Sequence, residues 1–564
     1  MTNYFGISYQ NLQKSVKHIG FKRKISNQGA PTLQAMWPPA LYKHQQEGVA
    51  WMLKREQSKV FKGGLLCDEP GMGKTIQVGA IMCQNPKRNN LLILPNAVIK
   101  QWIDTLTKMI PDVNIYVHHG KTKLKDISIL RKGSMNIVII TIAGVTKMSL
   151  FKKITWDRII MDECHYIKNK SSSRSVHAKK LNGTIKWGLT GTPVQNSIKD
   201  LISLVMFIKP DNWDLDSLPI NKNTIKTFKK RLILRRTKDD HPKDPNYLIK
   251  ISSVNDQVIR FPFKHKAERD FYNLIMAEIQ VMAEDIQQNE NGLRRFQGML
   301  ELLIRNRQAS IHPVLYARAM LERAKRKNIR YRPHPTIKNY DYQQTSSRFD
   351  AVIKSIGEKK QANQLVFCRY RHEMDLWEQT LTKKGYHCFK YNGSTSMKKR
   401  ESIINSYTYN RALLQVCNQK IGRAVREVFE NIRSYFSNVL LIQIVAGGTG
   451  LNLQQFTRVM LTTPDWNPCN EIQAVARSHR IGQTAPVDIY RFLLEDDVPG
   501  DKKLETIDDK IYDKQTKKRL VMADVLNDTT LYTDKKLSID DIRGLIGSKK
   551  KRDVDVAVEV GIRV

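Results

Sequence analysis

Short runs of aliphatic and β-branched residues recur along the chain, each followed by a polar or helix-forming stretch. In the first half they are LLILP (Leu91–Pro95), IVIITI (Ile137–Ile142), RIIMDE (Arg158–Glu163) and WGLTGTP (Trp187–Pro193). In the second half they are QLVFC (Gln364–Cys368), VLLIQIV (Val439–Val445), VMLTT (Val459–Thr463) and IYRFL (Ile489–Leu493). Unbroken apolar runs predict strands buried on both faces, and their alternation with helical stretches predicts parallel sheets. The two groups are separated by a mostly polar gap from about Asp200 to Arg348. Within it, Lys264–Glu284 carries apolar residues at helical spacing, and the basic, Pro-containing RAKRKNIRYRPHP (Arg323–Pro335) reads as a linker. The pattern predicts an α/β protein of two parallel-sheet lobes joined by a helical insert. The expected divisions are an N-terminal extension (1–36), a first lobe (37–210), the insert and linker (211–345), a second lobe (346–495), and a C-terminal region ending in a basic tail (548–564).

Composition narrows the partners. The chain has 564 residues and is 41% hydrophobic, enough for several units with real cores. Lys and Arg number 94 against 54 Asp and Glu, a net charge of +40. A positive field of that size attracts polyanions, nucleic acid foremost. The cysteines Cys67, Cys83, Cys164, Cys368, Cys388, Cys417 and Cys469 stand singly, which supports neither a zinc site nor a disulfide framework and fits a reducing compartment. The start, MTNYFGISYQNLQ, lacks the layout of a signal peptide, and the longest apolar stretches, Asn136–Val145 and Val439–Val445, are too short to span a bilayer. A soluble intracellular protein with no membrane partner is expected.

Two motifs carry chemistry. DEPGMGKT (Asp68–Thr75) follows the strand-like GGLLC and precedes the helix-like TIQVGAIM. Glycines at 71 and 73 let backbone N–H groups approach a polyphosphate, Lys74 neutralises its charge, and Thr75 offers a hydroxyl to Mg²⁺. The strict GxxxxGK[ST] pattern fails at its first position, where Asp68 stands, so an ordinary Gly-rich turn is the competing reading; the strand–loop–helix setting favours the phosphate loop. RIIMDECH supplies the matching acids at a strand end, Asp162 for Mg²⁺ and Glu163 for the attacking water. A solvated acidic turn is the alternative there, and His165 alone reads as a plain hydrogen-bonding residue.

With these stand further segments in a fixed order: LYKHQQEGVAWM (Leu41–Met52), LPNAVIKQW (Leu94–Trp102), LTGTPVQN (Leu189–Asn196), LRRTK (Leu234–Lys238) and RQASIHPVL (Arg307–Leu315). YNGSTSMKKR (Tyr391–Arg400), AGGTGLNL (Ala446–Leu453), DWNP (Asp465–Pro468) and QAVARSHRIGQ (Gln473–Gln483) follow. Together they resemble the motif set of the Swi/Snf branch of superfamily-two helicase-like translocases, over about Leu41–Gly547. The resemblance implies two RecA-like lobes, with bracing helices over 496–547. It implies an ATP-dependent translocase that moves along double-stranded DNA and remodels or displaces a DNA-bound protein, with ATP and Mg²⁺ as its cofactors.

The resemblance also assigns residues. The nucleotide site comprises Gln45, which reads adenine, with Asp68, Glu69, Pro70, Gly71, Met72, Gly73, Lys74 and Thr75; Thr75 and Asp162 hold Mg²⁺. Lys74, Asp162 and Glu163 are catalytic with Arg477 and Arg480, which act as arginine fingers from the other lobe. Thr190, Gly191, Thr192, Gly450 and Asn452 couple nucleotide state to DNA grip, and Gln473 and Gln483 frame the RSHR element. Pro70 and Met72 replace the family's usual apolar pair, and Cys164 replaces a small residue, raising an expectation of oxidation there. Thr408–Asn438 is longer than the family's connection and carries IGRAVREVFENIRSYF, an amphipathic pattern for a docked or an interaction helix. The partners implied beyond duplex DNA are a nucleosome, an RNA polymerase or another DNA-bound protein, and the location implied is the nucleus or, for a viral relative, a replication site or virion. The readings that compete are a nucleotide-gated DNA-binding scaffold with little turnover and a viral-type transcription-release ATPase.

Overall fold

The computed structural model describes residues 41–527 other than 60–61, 121–123, 125, 127, 129, 131–134, 148–150, 152–153, 196, 210–221, 239–250, 290–291, 331–344, 360–361, 397–398, 408–437, 448–450 and 497–504. The first lobe runs α1 (Lys43–Glu56), β1 (Gly63–Leu66), α2 (Lys74–Gln84), β2 (Asn89–Leu94), α3 (Ile99–Met109), β3 (Asn114–His118), β4 (Asn136–Thr141), β5 (Trp156–Asp162), α4 (Ser173–Lys179), β6 (Gly183–Leu189) and α5 (Ile198–Ile208). It continues through α6 (Lys222–Leu232) to β7 (Ile233–Leu234). Its seven strands form one parallel sheet in the order β3-β4-β2-β5-β6-β1-β7. The central strands are buried along nearly their whole length, as their apolar runs require.

The rest runs β8 (Val254–Pro262), α7 (Lys266–Asn289), α8 (Gly292–Ile311), α9 (Pro313–Lys327), α10 (Ser347–Glu358), β9 (Gln364–Cys368), α11 (Arg371–Lys383) and β10 (Cys388–Tyr391). There follow β11 (Val439–Gln443), α12 (Ile444–Gly447), β12 (Arg458–Leu461), α13 (Pro468–Val475), β13 (Val487–Glu495) and α14 (Ile507–Asn527). The second parallel sheet has six strands in the order β10-β11-β9-β12-β13-β8. One of its faces packs on α7–α11 and the start of α14 around Phe271, Phe349 and Trp377; the other is covered around Tyr391, Tyr407 and Phe456.

Two expectations for the region between the lobes are corrected. The stretch 211–345 is not helical throughout: β7 pairs with β1, and β8 pairs residue for residue with β13 from Val254↔Val487 to Pro262↔Glu495. The second sheet therefore starts well before residue 346. The basic run Arg323–Lys327 is also no linker, because it is the last part of α9, closed by Asn328 in the left-handed region (φ 53°). Its Ala, Arg and Lys residues are good helix formers and the first proline comes only at 333, so the helix runs on. The amphipathic 421–436 pattern and the basic tail lie outside the described residues, and of the expected bracing region (496–547) the described helix is α14 (Ile507–Asn527).

Candidate nucleotide site between the lobes

Strands β5, β6 and β1 are neighbours, so the loops leaving their C-terminal ends meet at one edge of the first sheet, where open parallel sheets bind ligands. From β1 comes the phosphate loop. Gly71 and Gly73 have φ of 92° and 83°, which side chains with a Cβ disfavour. A Cβ on Gly71 would also lie 2.9 Å from the Cβ of Arg480. α2 begins at Lys74 with no side-chain cap, leaving its leading N–H groups for an anion. The Lys74 ammonium folds back onto its own loop, donating to the Asp68 (2.6 Å) and Glu69 (3.4 Å) carbonyls. Thr75 is the second residue of α2. Pro70 packs where a Cβ on Gly191 would come within 2.5 Å of its ring, so the LTGTP turn and the phosphate loop touch through the bare Gly191 backbone.

Asp68 takes a different part from the one expected. Its carboxylate is fully buried and forked to Arg236 of LRRTK (Nε to Oδ1 2.9 Å, Nη2 to Oδ2 2.5 Å), and Gln77 donates a third bond at 2.9 Å. A carboxylate so enclosed supports the loop from behind and does not face a nucleotide. Met72 is buried too, and its carbonyl accepts from His44 Nε2 (3.0 Å) and Gln45 Nε2 (3.3 Å). Gln45 also accepts from the Tyr42 N–H (3.2 Å), so its amide is held at both ends while one N–H and one lone pair remain for a further partner.

From β5 come the acids. Trp102 Nε1, on the buried face of α3 with Ile99, Leu106 and Met109, donates to Asp162 Oδ2 at 2.9 Å, and the Glu163 N–H donates to Oδ1 at 2.9 Å. Burial and the neighbouring Glu163 charge raise the Asp162 carboxyl to about 6, against these two bonds and Lys74. Glu163 itself sits at φ 51°, an uncommon conformation for this residue. Burial would raise its pKa, but His165, Arg477 and Lys74 outweigh that and hold it below the usual carboxylate range. His165 Nδ1 lies 3.2 Å from both Glu163 Oε2 and the Thr190 hydroxyl, which in turn accepts from the Thr192 N–H (3.1 Å). The acid motif and the LTGTP turn are thereby joined. Cys164 is fully buried and its thiol is pushed well up by burial, which removes the expected oxidation liability.

The second lobe meets this edge with RSHR. Arg477 is close enough for its charge to act on Glu163 and Asp162, while burial lowers its pKa. Arg480 is pushed down to about 10 by burial and by Arg477, and no carboxylate pairs with it among the described residues. The turn is shaped by Gln483, fully buried and donating to the Gln454 (2.8 Å) and Ser478 (3.0 Å) carbonyls, and by Gln454, which donates to the Ile481 carbonyl at 2.6 Å. Asn452 is exposed beside it, accepting from the Gln454 N–H (3.4 Å); Gly450 lies outside the described residues.

Among the described residues, polar contacts cross between the lobes at three points, one of them the exposed Lys100–Glu401 pair (3.2 Å). Lys238 donates to the His479 carbonyl at 3.0 Å. The Gln195 carboxamide oxygen accepts from Lys168 (2.7 Å) in its own lobe and from Asn467 (3.0 Å) of DWNP, and Gln473 reaches the Thr192 hydroxyl at 3.4 Å. Trp102, Arg236, Lys238, Gln195 and Asn467 thus join the site although no role was expected for them singly. Arg236 and Asp68 are 168 positions apart, and no periodicity announces such a pair.

Lys74, Asp162, Glu163 and Arg477 form one charge cluster with Arg480 and Gly71 at its rim. The donor set suits Mg²⁺ brought in with phosphates: Mg²⁺ keeps water and phosphate ligands and takes only one or two protein oxygens, which Asp162 and Thr75 would supply. No group of three or more His, Cys, Asp or Glu residues able to cage a metal occurs among the described residues.

Comparison with known proteins finds two domain families and a set of relatives. Residues 44–315 match the SNF2-related domain, and residues 347–482 match the helicase conserved C-terminal domain. DNA repair protein RAD5B of Arabidopsis thaliana is 24% identical over 87% of this chain and 47% of its own length. The mouse SWI/SNF-related matrix-associated actin-dependent regulator of chromatin subfamily A member 1 is 26% identical over 81% of this chain and 41% of its own length. The probable global transactivator of Orgyia pseudotsugata multicapsid polyhedrosis virus is 25% identical over 86% of this chain and 93% of its own length. The chain therefore spans under half of the first two relatives and nearly all of the viral one. No helix among the described residues is long and apolar enough to cross a membrane.

Proposed function

Because this chain belongs to the SNF2-related family of helicase-like ATPases, we propose that it is a DNA-dependent ATPase whose two RecA-like lobes share one ATP and step along duplex DNA. The observation that carries the reading is the seating of Arg480 against Gly71, with Arg477 near Glu163, so that cations from one lobe flank the phosphate loop and acids of the other.

In this reading the N-terminus of α2 and Lys74 cradle the β- and γ-phosphates, and Lys74 exchanges its loop carbonyls for phosphate oxygens. Asp162, aimed by Trp102, and Thr75 hold Mg²⁺, which when bound screens phosphate charge. Glu163, kept ionised, orients the attacking water and accepts its proton. Arg477 and Arg480 stabilise charge developing on the γ-phosphate; an inserted guanidinium is worth about 10³–10⁵ in rate in related chemistry. His165 relays the state of Glu163 to Thr190, and the Thr192–Gln473 and Gln195–Asn467 contacts carry it to the second lobe. DNA bound across both lobes favours closure and so stimulates hydrolysis by linkage. Grip on phosphates makes binding salt-sensitive and blind to sequence, with strand separation not required. Asn452 and the turn that includes Gly450 are assigned to DNA contact.

Steady-state ATPase measured in parallel with no nucleic acid, single-stranded DNA, duplex DNA, RNA and nucleosomes tests this. Stimulation by duplex and displacement of a triplex-forming strand are expected; stimulation by RNA above duplex overturns the substrate. We assign the payload to a DNA-bound protein complex and the location to the nucleus, in line with the chromatin relative. A second reading, a viral-type transcription-release ATPase, draws on the viral relative matched over 93% of its length. Release of a stalled polymerase without nucleosome sliding selects it.

A further inference from the structure

LRRTK does more than pass from one lobe to the other. Its residues dock on the phosphate loop in alternation, Arg236 on Asp68 and Lys238 on Glu69. Lys238 holds Glu69 twice, by its backbone N–H to Oε2 (2.8 Å) and by its ammonium to Oε1 (3.3 Å). The same ammonium, on a side chain only 10% exposed, donates across the cleft to the His479 carbonyl at 3.0 Å and lies 3.4 Å from His479 Nδ1. His479 Nε2 is 2.9 Å from the Ser252 carbonyl, which can only accept, so Nε2 carries the ring proton and Nδ1 is left as an acceptor toward Lys238. An ammonium has three donors, and these partners suit them. His479 is the residue before Arg480, and both the His479 carbonyl and the Arg480 backbone lie within 4 Å of the Cβ that Gly71 lacks.

We propose that Lys238 is a positioning residue for hydrolysis, pinning the phosphate-loop carboxylate Glu69 to the carbonyl that precedes Arg480 so that lobe closure and finger placement occur together. The proposal rests on the shared-ATP reading above. Opening the lobes leaves the Lys238–Glu69 pair intact, since both belong to the first lobe, and breaks only the contacts to His479. A buried charge-assisted bond that exists only in the closed form biases the equilibrium toward closure without touching substrate. Lys238 should therefore govern turnover far more than nucleotide affinity.

The test uses the full chain and three variants, Lys238→Met, Lys238→Arg and Glu69→Gln, read by duplex-stimulated ATPase, binding of a fluorescent ADP analogue, thermal unfolding, and interlobe distance by energy transfer between dyes on the two lobes. Lys238→Met is expected to lower kcat about tenfold, the size of a lost hydrogen bond to a charged group, with analogue affinity within about threefold. ATP-driven closure is expected to shrink with it, Lys238→Arg to recover part of both, and the Glu69→Gln and Lys238→Met losses to be non-additive. A Lys238→Met protein with wild-type kcat and wild-type closure overturns the proposal while leaving the ATPase reading standing. So does one that loses kcat, affinity and melting temperature together with no recovery by arginine, since that is a folding defect. If the wild-type chain hydrolyses no ATP with any nucleic acid, the shared-site reading itself has failed, and the proposal falls with it.

Discussion

On the first-lobe side of the cleft, the charged groups of the phosphate loop already have protein partners: Lys74 its own loop's carbonyls, Asp68 the Arg236 fork, and Glu69 Lys238. On the second-lobe side, Arg480 is largely withdrawn from water, lies beside a second guanidinium and has no acid partner among the described residues. One side is complete in its hydrogen bonding, although Lys74 meets only neutral carbonyls; the other holds positive charge with no acid beside it, which an anion in the cleft would relieve. The difference teaches where the energy of the cycle resides. In the proposed cycle the second lobe would gain most when a phosphate arrives.

The largest test removes the uncompensated charge. Arg480→Ala is expected to cut single-turnover ATPase by about 10³-fold or more while leaving affinity for an ADP analogue within a few-fold; unchanged turnover would remove the contrast between the sides. Next comes the complete side. Asp68→Asn leaves the Arg236 guanidinium buried opposite a neutral group, and denaturant unfolding should register a loss of about 3–5 kcal/mol, with the phosphate-loop lobe unfolding first. A loss below about 1 kcal/mol, as for an exposed pair, would mean Asp68 is not the buried strut described. Glu163→Gln should lower turnover by about 10²-fold with ATP binding retained, and a nucleotide-gated scaffold would lose nothing. The smallest effect is expected at the seam: Gln195→Ala and Asn467→Ala should each lower kcat by about two- to tenfold, the range of a single net hydrogen bond, and a double-mutant cycle should return a coupling. Full additivity would mean the seam contact is incidental.

The same division decides what could be read from the chain. The eight apolar runs all became strands because buried parallel strands leave an unmistakable apolar record. β8 left none: it is an edge strand whose residues Val254–Val258 are exposed, so VNDQVIRFP looks like any polar connection. β7 is two residues long and is a strand only because β1 lies beside it. At the site, GMGKT, DECH and RSHR were legible because each packs its chemistry into a few consecutive residues. The supports were not. Trp102 lies 60 positions from Asp162, Arg236 lies 168 from Asp68, and Lys238 lies 241 from His479. Such pairs are written in the fold, and a linear pattern has no period that could reveal them.

The nine-residue pairing of β8 with β13 bears on how the molecule can be divided. Cut at residue 346, the C-terminal half would carry a raw sheet edge along Val487–Glu495, an invitation to stick to itself or to a stray extended peptide. Any attempt to express that half alone has to reach back upstream of Val254, and swapping halves between relatives should respect the same seam.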